Sequence, residues 1–458
     1  MATHSPLTVI VLAAGEGKRM ASALPKALHR IGGRTLLDHV VWTAQQLGPD
    51  DLLAVIGHGA EEVKASTQGA VRWVVQRERL GTGHAVAQAL PLIDDAAVAL
   101  VLCADVPLVG QATLQACVDA AREGALALVT AELDDPAALG RIVRGGDGRI
   151  VRIVEFKDAD ERERTIREVN AGLMALPAAV LRRLLGQVTP DNAQGEYYLT
   201  DLVALAIAED TPVEGIRAQD ADEILGINDR AQLAKAERIL QQREAQRLLA
   251  AGVTLADPAR LDVRGDVTAG QDSFIDANAM LKGCVTLGER VHLGPGVVIE
   301  DAEIGDDAHI EAYTIIEGAR IGARCRIGPF ARLRPGTSLG EAAKVGNFVE
   351  TKNARLGAGV KASHLAYLGD ADIGADSNIG AGAVTCNYDG ADKHRTEIGD
   401  DVFIGTNATL VAPLTIETGA FIAAGSTITR AVGKEELAVG RGRQRNIDGW
   451  TRPGRKSR

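Results

Sequence analysis

Two groups of polar residues in this sequence could do chemistry, and the first group follows two short apolar runs. Residues 98–102 lead into Asp105, and residues 8–12 lead into a turn rich in small residues at 13–17. A carboxylate at the end of a buried strand can hold a hard cation such as Mg²⁺. Small residues let backbone N–H groups approach phosphates closely. A helix cap or a turn is the commoner role of a lone aspartate, so its neighbours must support the functional interpretation.

Three cations follow the first turn. Lys18, Arg19 and Lys26 would lie where a triphosphate binds. The turn is not a Walker A loop, because its spacing and the Lys-Ser/Thr pair are absent, and it is not GxGxxG, because no third glycine follows in register. A second glycine-rich stretch at residues 80–85 contains His84, for which a structural role is favoured over a ligand role.

The second group of polar residues lies at 345–392, where a regular aliphatic repeat lapses. It contains His364 and Tyr367 together with carboxylates and amides such as Glu350, Asn378 and Asn387. Polar and ring side chains concentrated at a break in an apolar pattern indicate a working surface, and function must be argued from such a site. Imidazole has an ordinary pKa of about 6.5 and is suited to accept a proton near neutral pH.

The elements that must position the first group form an α/β pattern over residues 1–228. Short apolar runs alternate with amphipathic stretches such as 36–47 and 114–121, which is typical of a mostly parallel sheet covered by helices. The predicted strands are residues 8–12, 52–56, 98–102, 125–130 and 150–154. Ligands of such sheets bind at the carboxyl ends of the strands, which is where the first turn and Asp105 are expected.

The second group interrupts a six-residue repeat that begins near residue 252. An aliphatic residue recurs every six positions and is often followed by glycine. The cleanest run is Ile398, Ile404, Leu410, Ile416, Ile422 and Ile428. This period is neither helical nor two-fold, and it predicts a left-handed parallel β-helix over residues 252–458, with aliphatic side chains stacked from coil to coil.

One helix is predicted between the two patterns. Asn228 or Asp229 can cap its start and Gly252 can end it, so residues 229–251 form a linker of roughly 33 Å at 1.5 Å per residue. Charged residues dominate it, with a loose apolar stripe that includes Leu233 and Leu248. The helix is either a spacer arm or an ordinary packed surface helix.

Composition limits the classes of partner. The chain has 458 residues, too many for one ordinary core, and a net charge of −11, which disfavours a nucleic-acid-binding surface. Its first apolar run is too short for a signal peptide or a membrane span. The five cysteines form no CxxC pair, which argues against disulfides and zinc and favours a reducing cytoplasm. They are Cys103, Cys117, Cys284, Cys325 and Cys386.

The carboxyl-terminal segment is strongly basic. Residues 441–458 carry seven cations against the single carboxylate of Asp448. The cations are Arg441, Arg443, Arg445, Arg452, Arg455, Lys456 and Arg458. Such a segment is either a solvated tail or a segment that binds a polyanionic cofactor.

The motifs of the first part occur in a specific order. They are Leu12-Ala13-Ala14-Gly15, Lys18-Arg19-Met20, Pro25-Lys26, Gly81-Thr82-Gly83, Asp105-Val106-Pro107, Glu155-Phe156-Lys157-Asp158, Asn170-Ala171-Gly172, Gly195-Glu196-Tyr197-Tyr198-Leu199-Thr200-Asp201 and Gly226-Ile227-Asn228-Asp229. Together they resemble the sugar-1-phosphate nucleotidylyltransferases, and more narrowly the bacterial bifunctional N-acetylglucosamine-1-phosphate uridylyltransferase/glucosamine-1-phosphate N-acetyltransferase enzymes. The match covers nearly the whole chain and implies a Rossmann-like nucleotidylyltransferase domain followed by an acetyltransferase β-helix.

The resemblance implies a role for matching residues of the first part in uridylyl transfer from UTP. The nucleotide would be lined by Leu12, Ala13, Ala14 and Gly15, and the uracil would lie near Gln76, Gly81 and Thr82. Phosphate charge would be neutralised by Lys26, and Mg²⁺ would be held by Asp105 and Asn228. The sugar and ribose would contact Gly140, Glu155 and Asn170. The string at 195–201 matches the family, but its role does not follow from the sequence. Positioning and charge neutralisation suffice for this chemistry, without a covalent enzyme intermediate.

The strings at 345–392 resemble the hexapeptide-repeat acyltransferases and imply acetyl transfer from acetyl-CoA to an amino-sugar phosphate. Such an amine needs a base, because its ammonium form has no lone pair. His364 would be that base, with Glu350 as a candidate to orient it. The phosphate would be bound by Arg334 and Lys352, and the sugar would be oriented by Tyr367 and Asn378. Acetyl-CoA would be contacted by Ala381, Asn387, Tyr388, Thr406, Ala424 and Arg441. Thr406 departs from the serine expected there, but the hydroxyl is kept.

The expected protein is therefore a bifunctional enzyme of UDP-N-acetylglucosamine synthesis, which supplies peptidoglycan and lipopolysaccharide. It would act in the cytoplasm as a homotrimer on small-molecule substrates, without nucleic-acid or membrane partners. One alternative is a monofunctional sugar-1-phosphate nucleotidylyltransferase whose β-helix is only a scaffold. A non-enzymatic assembly subunit is another, and the two polar groups disfavour both.

Overall fold

The computed structural model describes residues 5–15, 17–450 and 452. Its chain divides into two compact units, Met1–Leu240 and Gln241–Arg458. Glu16 of the first turn lies outside the described residues, as do Arg455, Lys456 and Arg458 of the basic tail. Each unit is described by itself below. In the described residues, no helix combines the length and the apolar character needed to cross a bilayer.

The first unit is built on a twisted, mostly parallel sheet. In spatial order its main strands are Val213–Arg217, Leu126–Glu132, Glu168–Pro177, Val98–Cys103, Leu7–Ala13, Asp51–Ile56 and Arg72–Val75. Among these seven strands, only Glu168–Pro177 runs antiparallel to its neighbours. The predicted sheet is confirmed. Of the predicted strands, only Ile150–Val154 lies outside this order, in an antiparallel ribbon with Arg141–Arg144.

Helices cover both faces of this sheet, and the described α-helices are Leu36–Gln45, Ala60–Ser66, Thr82–Ala89, Gln111–Arg122, Glu161–Arg164, Ala178–Leu185, Leu202–Ala208 and Arg230–Ala250. A short ribbon, Arg30–Ile31 with Arg34–Thr35, stands apart from the main sheet. Val9 and Val11 pack into the core on one face of the sheet, whereas Ile10 packs into the core on the other. A strand buried on both faces reads as a continuous apolar run, which explains why the central strands could be predicted.

The second unit is a left-handed parallel β-helix with three faces, which confirms the fold predicted from the six-residue repeat. One face contains Thr254–Leu255, Phe274–Ile275, His292–Leu293, His309–Ile310, Arg326–Ile327, Lys344–Asn347, Lys361–His364, Asn378–Ile379, Phe403–Ile404, Phe421–Ile422 and Leu437–Ala438. The other strands are Asp262–Ala269, Met280–Leu287, Val298–Ile304, Ile315–Glu317, Arg320–Ile321, Arg332–Leu333, Ser338–Leu339, Glu350–Lys352, Arg355–Leu356, Tyr367–Gly369, Ala371–Ile373, Val384–Cys386, Thr396–Ile398, Thr409–Val411, Leu414–Ile416 and Thr427–Ile428. Neighbouring coils pair in parallel throughout these strands.

The aliphatic positions of the repeat form the core of the second unit. Every member of the cleanest run is buried, including Ile404, Leu410, Ile416 and Ile422 at no more than 1% exposure. Each coil contributes one layer, and each layer is covered only by the coils next to it. The stability of the second unit therefore depends on these stacked side chains.

We expect Ile416→Ala to lower the free energy of unfolding of the second unit by about 2–5 kcal/mol, because it removes buried methyl groups and leaves a cavity. Thr415→Ala is the matched control. Thr415 is the exposed residue immediately before Ile416 on the same strand, and its replacement should change the free energy by no more than about 0.5 kcal/mol. Denaturant unfolding measures both variants, and equal effects would contradict the core assignment.

The helix Arg230–Ala250 occupies the predicted linker, but the division between the compact units falls inside it, after Leu240. Ala236 packs with Ile31 in the first unit, while Ala245 and Leu248 join the core of the second unit. Both halves are therefore packed. The helix is not an exposed rod over its whole length, and the packed alternative describes it better than the spacer arm.

Candidate active sites

In the first unit, the carboxyl ends of neighbouring parallel strands meet at one edge of the sheet. Leu12 lies in register with Val55 on one side and Cys103 on the other. The Ala104 N–H donates to the Leu12 carbonyl oxygen at 3.0 Å, so the turn after Leu12 and the segment leading to Asp105 emerge side by side. The sheet thus brings the first glycine-rich turn and the predicted metal-binding carboxylate together.

Lys26, Asp105 and Asn228 converge at this edge. Lys26 Nζ lies 2.5 Å from Asp105 Oδ2 and donates to Asn228 Oδ1 at 2.7 Å. Asn228 is distant from Asp105 in the sequence. It lies beside Asp105 because the preceding residue, Ile227, donates its N–H to the Asp105 carbonyl oxygen at 2.8 Å. Two oxygen atoms therefore point at one positively charged atom. The Lys26 side chain is 13% exposed and that of Asp105 is 29% exposed, so the cluster is shielded but reachable.

Gly17 fixes the approach of the first turn to Lys26. Its φ is +67°, and a Cβ added there would lie 2.7 Å from the Lys26 Cβ. A side chain at this position would have to adopt a strained backbone and displace the lysine. Ala13 and Ala14 of the same turn are buried, and Gly15 is exposed, with open space at its Cα. The turn therefore leaves room beside the Lys26 cluster.

Gln76 and the second glycine-rich stretch form a separate part of this site. Gln76 is only 4% exposed, and its Nε2 donates to the Gly81 carbonyl oxygen at 3.2 Å. The same amide nitrogen lies 3.1 Å from His84 Nδ1, and Gln88 Nε2 lies 3.2 Å from His84 Nε2. Both ring nitrogens of His84 thus face amides, which fits the structural role expected for this histidine.

The string at residues 195–201, whose role did not follow from the sequence, packs against that second stretch. The Gly83 N–H donates to the Tyr197 carbonyl oxygen at 2.8 Å, and the Tyr197 N–H donates to the Leu80 carbonyl oxygen at 2.8 Å. Thr82 Oγ1 accepts from the Leu199 N–H at 3.1 Å. Gly81 has a φ of +109°, and a Cβ there would lie 2.6 Å from the Tyr197 carbonyl oxygen. The segment at residues 195–201 therefore fixes the position of the glycine-rich loop that contains Gly81 and Thr82.

Gly140, Glu155 and Asn170 also lie together. The Asn170 N–H donates to the Gly140 carbonyl oxygen at 2.9 Å, and a Cβ added to Gly140 would lie 3.4 Å from Glu155 Oε1. Burial raises the pKa of Glu155, and the hydrogen bond from Thr200 Oγ1, at 3.1 Å, opposes that rise. The structure thus brings together three residues that the sequence assigned to one role.

Cys103 stands at the end of the central strand, two residues before Asp105. Burial, followed by the nearby Asp105 charge, raises the pKa of Cys103 to about 12. A thiol with such a pKa remains protonated and is a poor nucleophile at neutral pH. This cysteine therefore supplies packing, and the site offers no thiolate for covalent catalysis.

His364, in the second unit, is exposed and oriented by an amide. Its Nδ1 lies 2.9 Å from Asn347 Oδ1 on the neighbouring coil. Glu350, the orienting group suggested by the sequence, instead accepts a hydrogen bond from Arg334 Nη1 at 2.9 Å. An amide oxygen only accepts, so in the neutral ring the proton is on Nδ1 and the lone pair is on Nε2. The geometry therefore favours Asn347 over Glu350 as the orienting residue.

Cations gather beside the buried carboxylate of Asp370, six residues after His364 in the sequence. Lys352 Nζ lies 3.5 Å from Asp370 Oδ2, and Lys393 lies beside Lys352, which lowers the pKa of Lys393 through their mutual hydrogen bond and charge. Burial alone would raise the pKa of Asp370, but hydrogen bonds from Asn353 and Asn387 and the Lys352 charge bring it below its ordinary value. The sequence did not single out Asp370 or Lys393.

Tyr367 and Asn378 are not neighbours in this chain. Tyr367 is in register with Glu350 on one face of the β-helix, whereas Asn378 is in register with Lys361 on another. The two residues therefore lie on different faces, and their common role in orienting a sugar stays a prediction. Asn378 does share its face with His364, which lies on the same strand as Lys361.

One corner of the β-helix carries most residues assigned to acetyl-CoA. Ala381 and Thr406 lie on adjacent coils, because the Asn407 N–H donates to the Ala381 carbonyl oxygen at 2.7 Å. Thr406 and Ala424 are linked likewise through Gly425, and Arg441 Nη1 donates to the Ala424 carbonyl oxygen at 2.7 Å. Asn387 and Tyr388 belong instead to the loop that follows Cys386, where Asn387 is buried and Tyr388 is 60% exposed.

Three family models match the chain. The MobA-like NTP transferase domain matches residues 9–255, the GMPPB C-terminal domain matches residues 263–356, and the bacterial transferase hexapeptide with six repeats matches residues 395–430. The first of them covers more than half of the chain and includes the Lys26 cluster. The third includes Thr406 and Ala424 of the corner described above.

Full-length relatives carry one common name. "Bifunctional protein GlmU" of Marinobacter nauticus is 52% identical over 450 residues, covering 98% of this chain and 99% of its own. The protein of that name from Stutzerimonas stutzeri is 54% identical over 451 residues, covering 98% and 100%. That of Azoarcus is 50% identical over 448 residues, covering 98% and 99%. With such identity over nearly its whole length, the chain belongs to the family of bifunctional GlmU proteins.

Proposed function

We propose that the two sites described above divide the two reactions of UDP-N-acetylglucosamine synthesis between them. The chain is an acetyltransferase and a uridylyltransferase: glucosamine 1-phosphate is acetylated from acetyl-CoA, and N-acetylglucosamine 1-phosphate is then joined to UMP from UTP. The observation that carries the assignment is the presence of two separate polar clusters, around Lys26 and around His364, in one member of this family. The functional division into residues 1–228, 229–251 and 252–458 is part of the proposal.

In uridylyl transfer, an oxygen of the sugar phosphate attacks the α-phosphorus of UTP and pyrophosphate leaves. Lys26 neutralises phosphate charge, and the turn from Leu12 to Gly15 leaves space for the nucleotide. The string at 195–201 holds Gly81 and Thr82 at the base. Gly140, Glu155 and Asn170 meet the sugar and ribose. Positioning and neutralisation account for the catalysis, since no side chain has to form a bond to phosphorus.

Asp105 and Asn228 fit Mg²⁺, because one carboxylate and one amide oxygen already converge on the cationic Lys26 Nζ. Mg²⁺ prefers such hard oxygen ligands and usually takes its remaining ligands from water and substrate phosphates. In the described part of the chain, no cluster of three or more His, Cys, Asp or Glu could hold a metal ion. When bound, Mg²⁺ would neutralise charge on the phosphates.

In acetyl transfer, the amine nitrogen bonds to the thioester carbon and the bond from that carbon to sulfur breaks. His364 Nε2 accepts the amine proton, which leaves with the coenzyme A thiol. Asn347 holds the ring in the tautomer this step needs. Arg334, Lys352 and Lys393 bind the substrate phosphate. The corner around Thr406 receives acetyl-CoA, whose phosphates suit Arg441 and the basic tail.

Both half-reactions on the purified chain test this proposal. Pyrophosphate release is measured from UTP with N-acetylglucosamine 1-phosphate, and free thiol release is measured from acetyl-CoA with glucosamine 1-phosphate. We expect both activities. Pyrophosphate release without thiol release would establish the monofunctional alternative with a scaffold β-helix, and the absence of both would refute the enzymatic assignment.

A cytoplasmic setting is also proposed and is supported by the five cysteines, none of which is in a disulfide.

A homotrimer is the proposed assembly, and an exposed apolar edge of the β-helix supports it. This apolar edge consists of Tyr313, Phe330, Phe348 and Leu365, stacked on successive coils and each 49–62% exposed. The ring centroids lie 5.4 Å apart for the first pair and 5.6 Å apart for the second. Contiguous exposed apolar surface marks an interface. Asn347 and His364 directly precede two residues of the edge, so a second copy covering it would border the acetyl-transfer site.

Light scattering should give three times the mass of one chain for the unsubstituted protein. Phe330→Glu/Phe348→Glu should shift the mass towards a single chain and lower acetyl transfer at least about tenfold, because two charges would be buried without partners. Phe403→Glu/Phe421→Glu is the control, since these exposed rings stack on a flat face rather than on the apolar edge. A monomeric unsubstituted protein, or an unaltered mass in the first variant, would contradict the assembly.

A further inference from the structure

Three cations form a column on one face of the β-helix. Arg326 is in register with Lys344, and Lys344 is in register with Lys361. All three side chains are exposed. Neighbouring strands lie about 4.8 Å apart, so the column spans about 10 Å. We call these three residues the basic column.

The basic column differs from several other cations of this unit, which pair with carboxylates. Arg290 donates to Asp307 at 2.7 Å, and Arg395 pairs with Asp372 through two hydrogen bonds. In the described residues, by contrast, no side-chain hydrogen bond or ion pair joins any member of the basic column to another residue. Like charges directly opposite one another destabilise a pair of strands. The column therefore lowers stability without a paired carboxylate among the described residues, although the net charge of the chain is −11.

The basic column leads to the acetyl-transfer site. Lys361 and His364 belong to the strand Lys361–His364, three residues apart, or about 10 Å at 3.3 Å per residue. Lys344 and Asn347 have the same relation on the adjacent strand. Lys361 is also in register with Asn378. Lys361 is about one Debye length from His364 at 0.1 M ionic strength, so its charge is only partly screened there and acts more strongly at lower salt.

We propose that the basic column steers the anionic substrates of acetyl transfer to His364. This inference rests on the proposed function, because glucosamine 1-phosphate and acetyl-CoA both carry phosphate charge. Steering raises the rate at which an anion is captured, and a charged surface can do so by about 10- to 10³-fold. It leaves the step in which the amide bond forms unchanged. The column should therefore affect kcat/KM and its dependence on salt, but not kcat.

Lys344→Gln/Lys361→Gln tests the proposal in the full chain. At an ionic strength of about 20 mM, kcat/KM for glucosamine 1-phosphate should fall roughly three- to tenfold, and at about 500 mM it should converge with that of the unsubstituted enzyme, because salt screens exposed charges. The value of kcat should stay the same, as should uridylyl transfer. Unfolding should confirm that the variant is no less stable, since it loses a repulsion.

Arg320→Gln/Arg355→Gln is the control for net charge, because it removes the same charge from exposed positions on another face, where Arg320 faces Glu303 at 3.5 Å. It should leave kcat/KM for glucosamine 1-phosphate within about twofold at low salt. An equal loss in both variants would reduce the effect to net charge and overturn the inference. So would a loss that persists at high salt or appears in kcat. Absence of acetyl transfer from the unsubstituted chain would overturn the proposed function instead.

Discussion

Asp105→Ala should abolish uridylyl transfer while acetyl transfer continues at its normal rate. The substitution removes one of the two proposed Mg²⁺ ligands at the sheet edge and leaves Lys26 with Asn228 as its partner among the described residues. Removing one charge-stabilising group from a preorganised site commonly costs about 10²–10³-fold, and loss of a metal ligand should cost at least that much. Pyrophosphate release and thiol release, measured on one preparation, give the two rates.

Asp119→Ala is a control for the Asp105 variant in the same unit. Asp119 is an exposed helical carboxylate that pairs with Arg122, and its removal should change neither rate. Retention of acetyl transfer by the Asp105 variant shows that the second unit has folded, and denaturant unfolding shows whether the first unit has. Full pyrophosphate release from that variant would remove Asp105 from the metal site.

His364→Ala should have the opposite selectivity, losing acetyl transfer and keeping uridylyl transfer. The imidazole is the proposed acceptor of the amine proton, and a positioned general base contributes about 10²–10⁴-fold. Asn347→Ala should cause a smaller loss, because it releases the ring without removing it. Thiol release from acetyl-CoA measures both variants.

His292→Ala is the control for the His364 variant. His292 lies on the same face and stacks between Phe274 and His309 at centroid distances of 4.8 and 4.3 Å. Its loss should leave acetyl transfer unchanged. Acetylation that is unaltered across pH 6–9 in the His364 variant would refute the assignment of the base.

The fold was predictable where burial imposes a simple pattern. Strands at the centre of the sheet are buried on both faces and appear as continuous apolar runs, for example Leu7–Ala13 and Val98–Cys103. Three of the seven main strands of the sheet were missed. Val213–Arg217 is a partly exposed edge strand, and Arg72–Val75 is short with Val74 as its one buried residue, so neither has the apolar run that identifies a central strand. Glu168–Pro177 has an apolar second half, but polar residues, a glycine and a shift in register interrupt it.

The site residues also divide into those whose neighbours could be inferred from the sequence and those whose neighbours could not. That Asn228 lies beside Asp105 could not follow from spacing, because a backbone hydrogen bond between distant segments brings them together. Asn347, by contrast, was detectable: it precedes His364 by 17 residues, the length of one coil. The same offset links Asp370 to Asn353 and to Asn387. Once a solenoid is predicted, polar residues one coil apart should be compared as neighbours.

The shared helix bears on whether the two halves of this enzyme could be separated. Gln241 exchanges two hydrogen bonds of 2.7 Å with the backbone of Val263, and Leu248 is fully buried in the solenoid core. The first coil of a β-helix has no preceding coil to cover its apolar end, so a terminal cap must cover it. A fragment cut at residue 252 would lose its cap and would be prone to end-to-end aggregation, so an autonomous acetyltransferase must begin no later than Gln241.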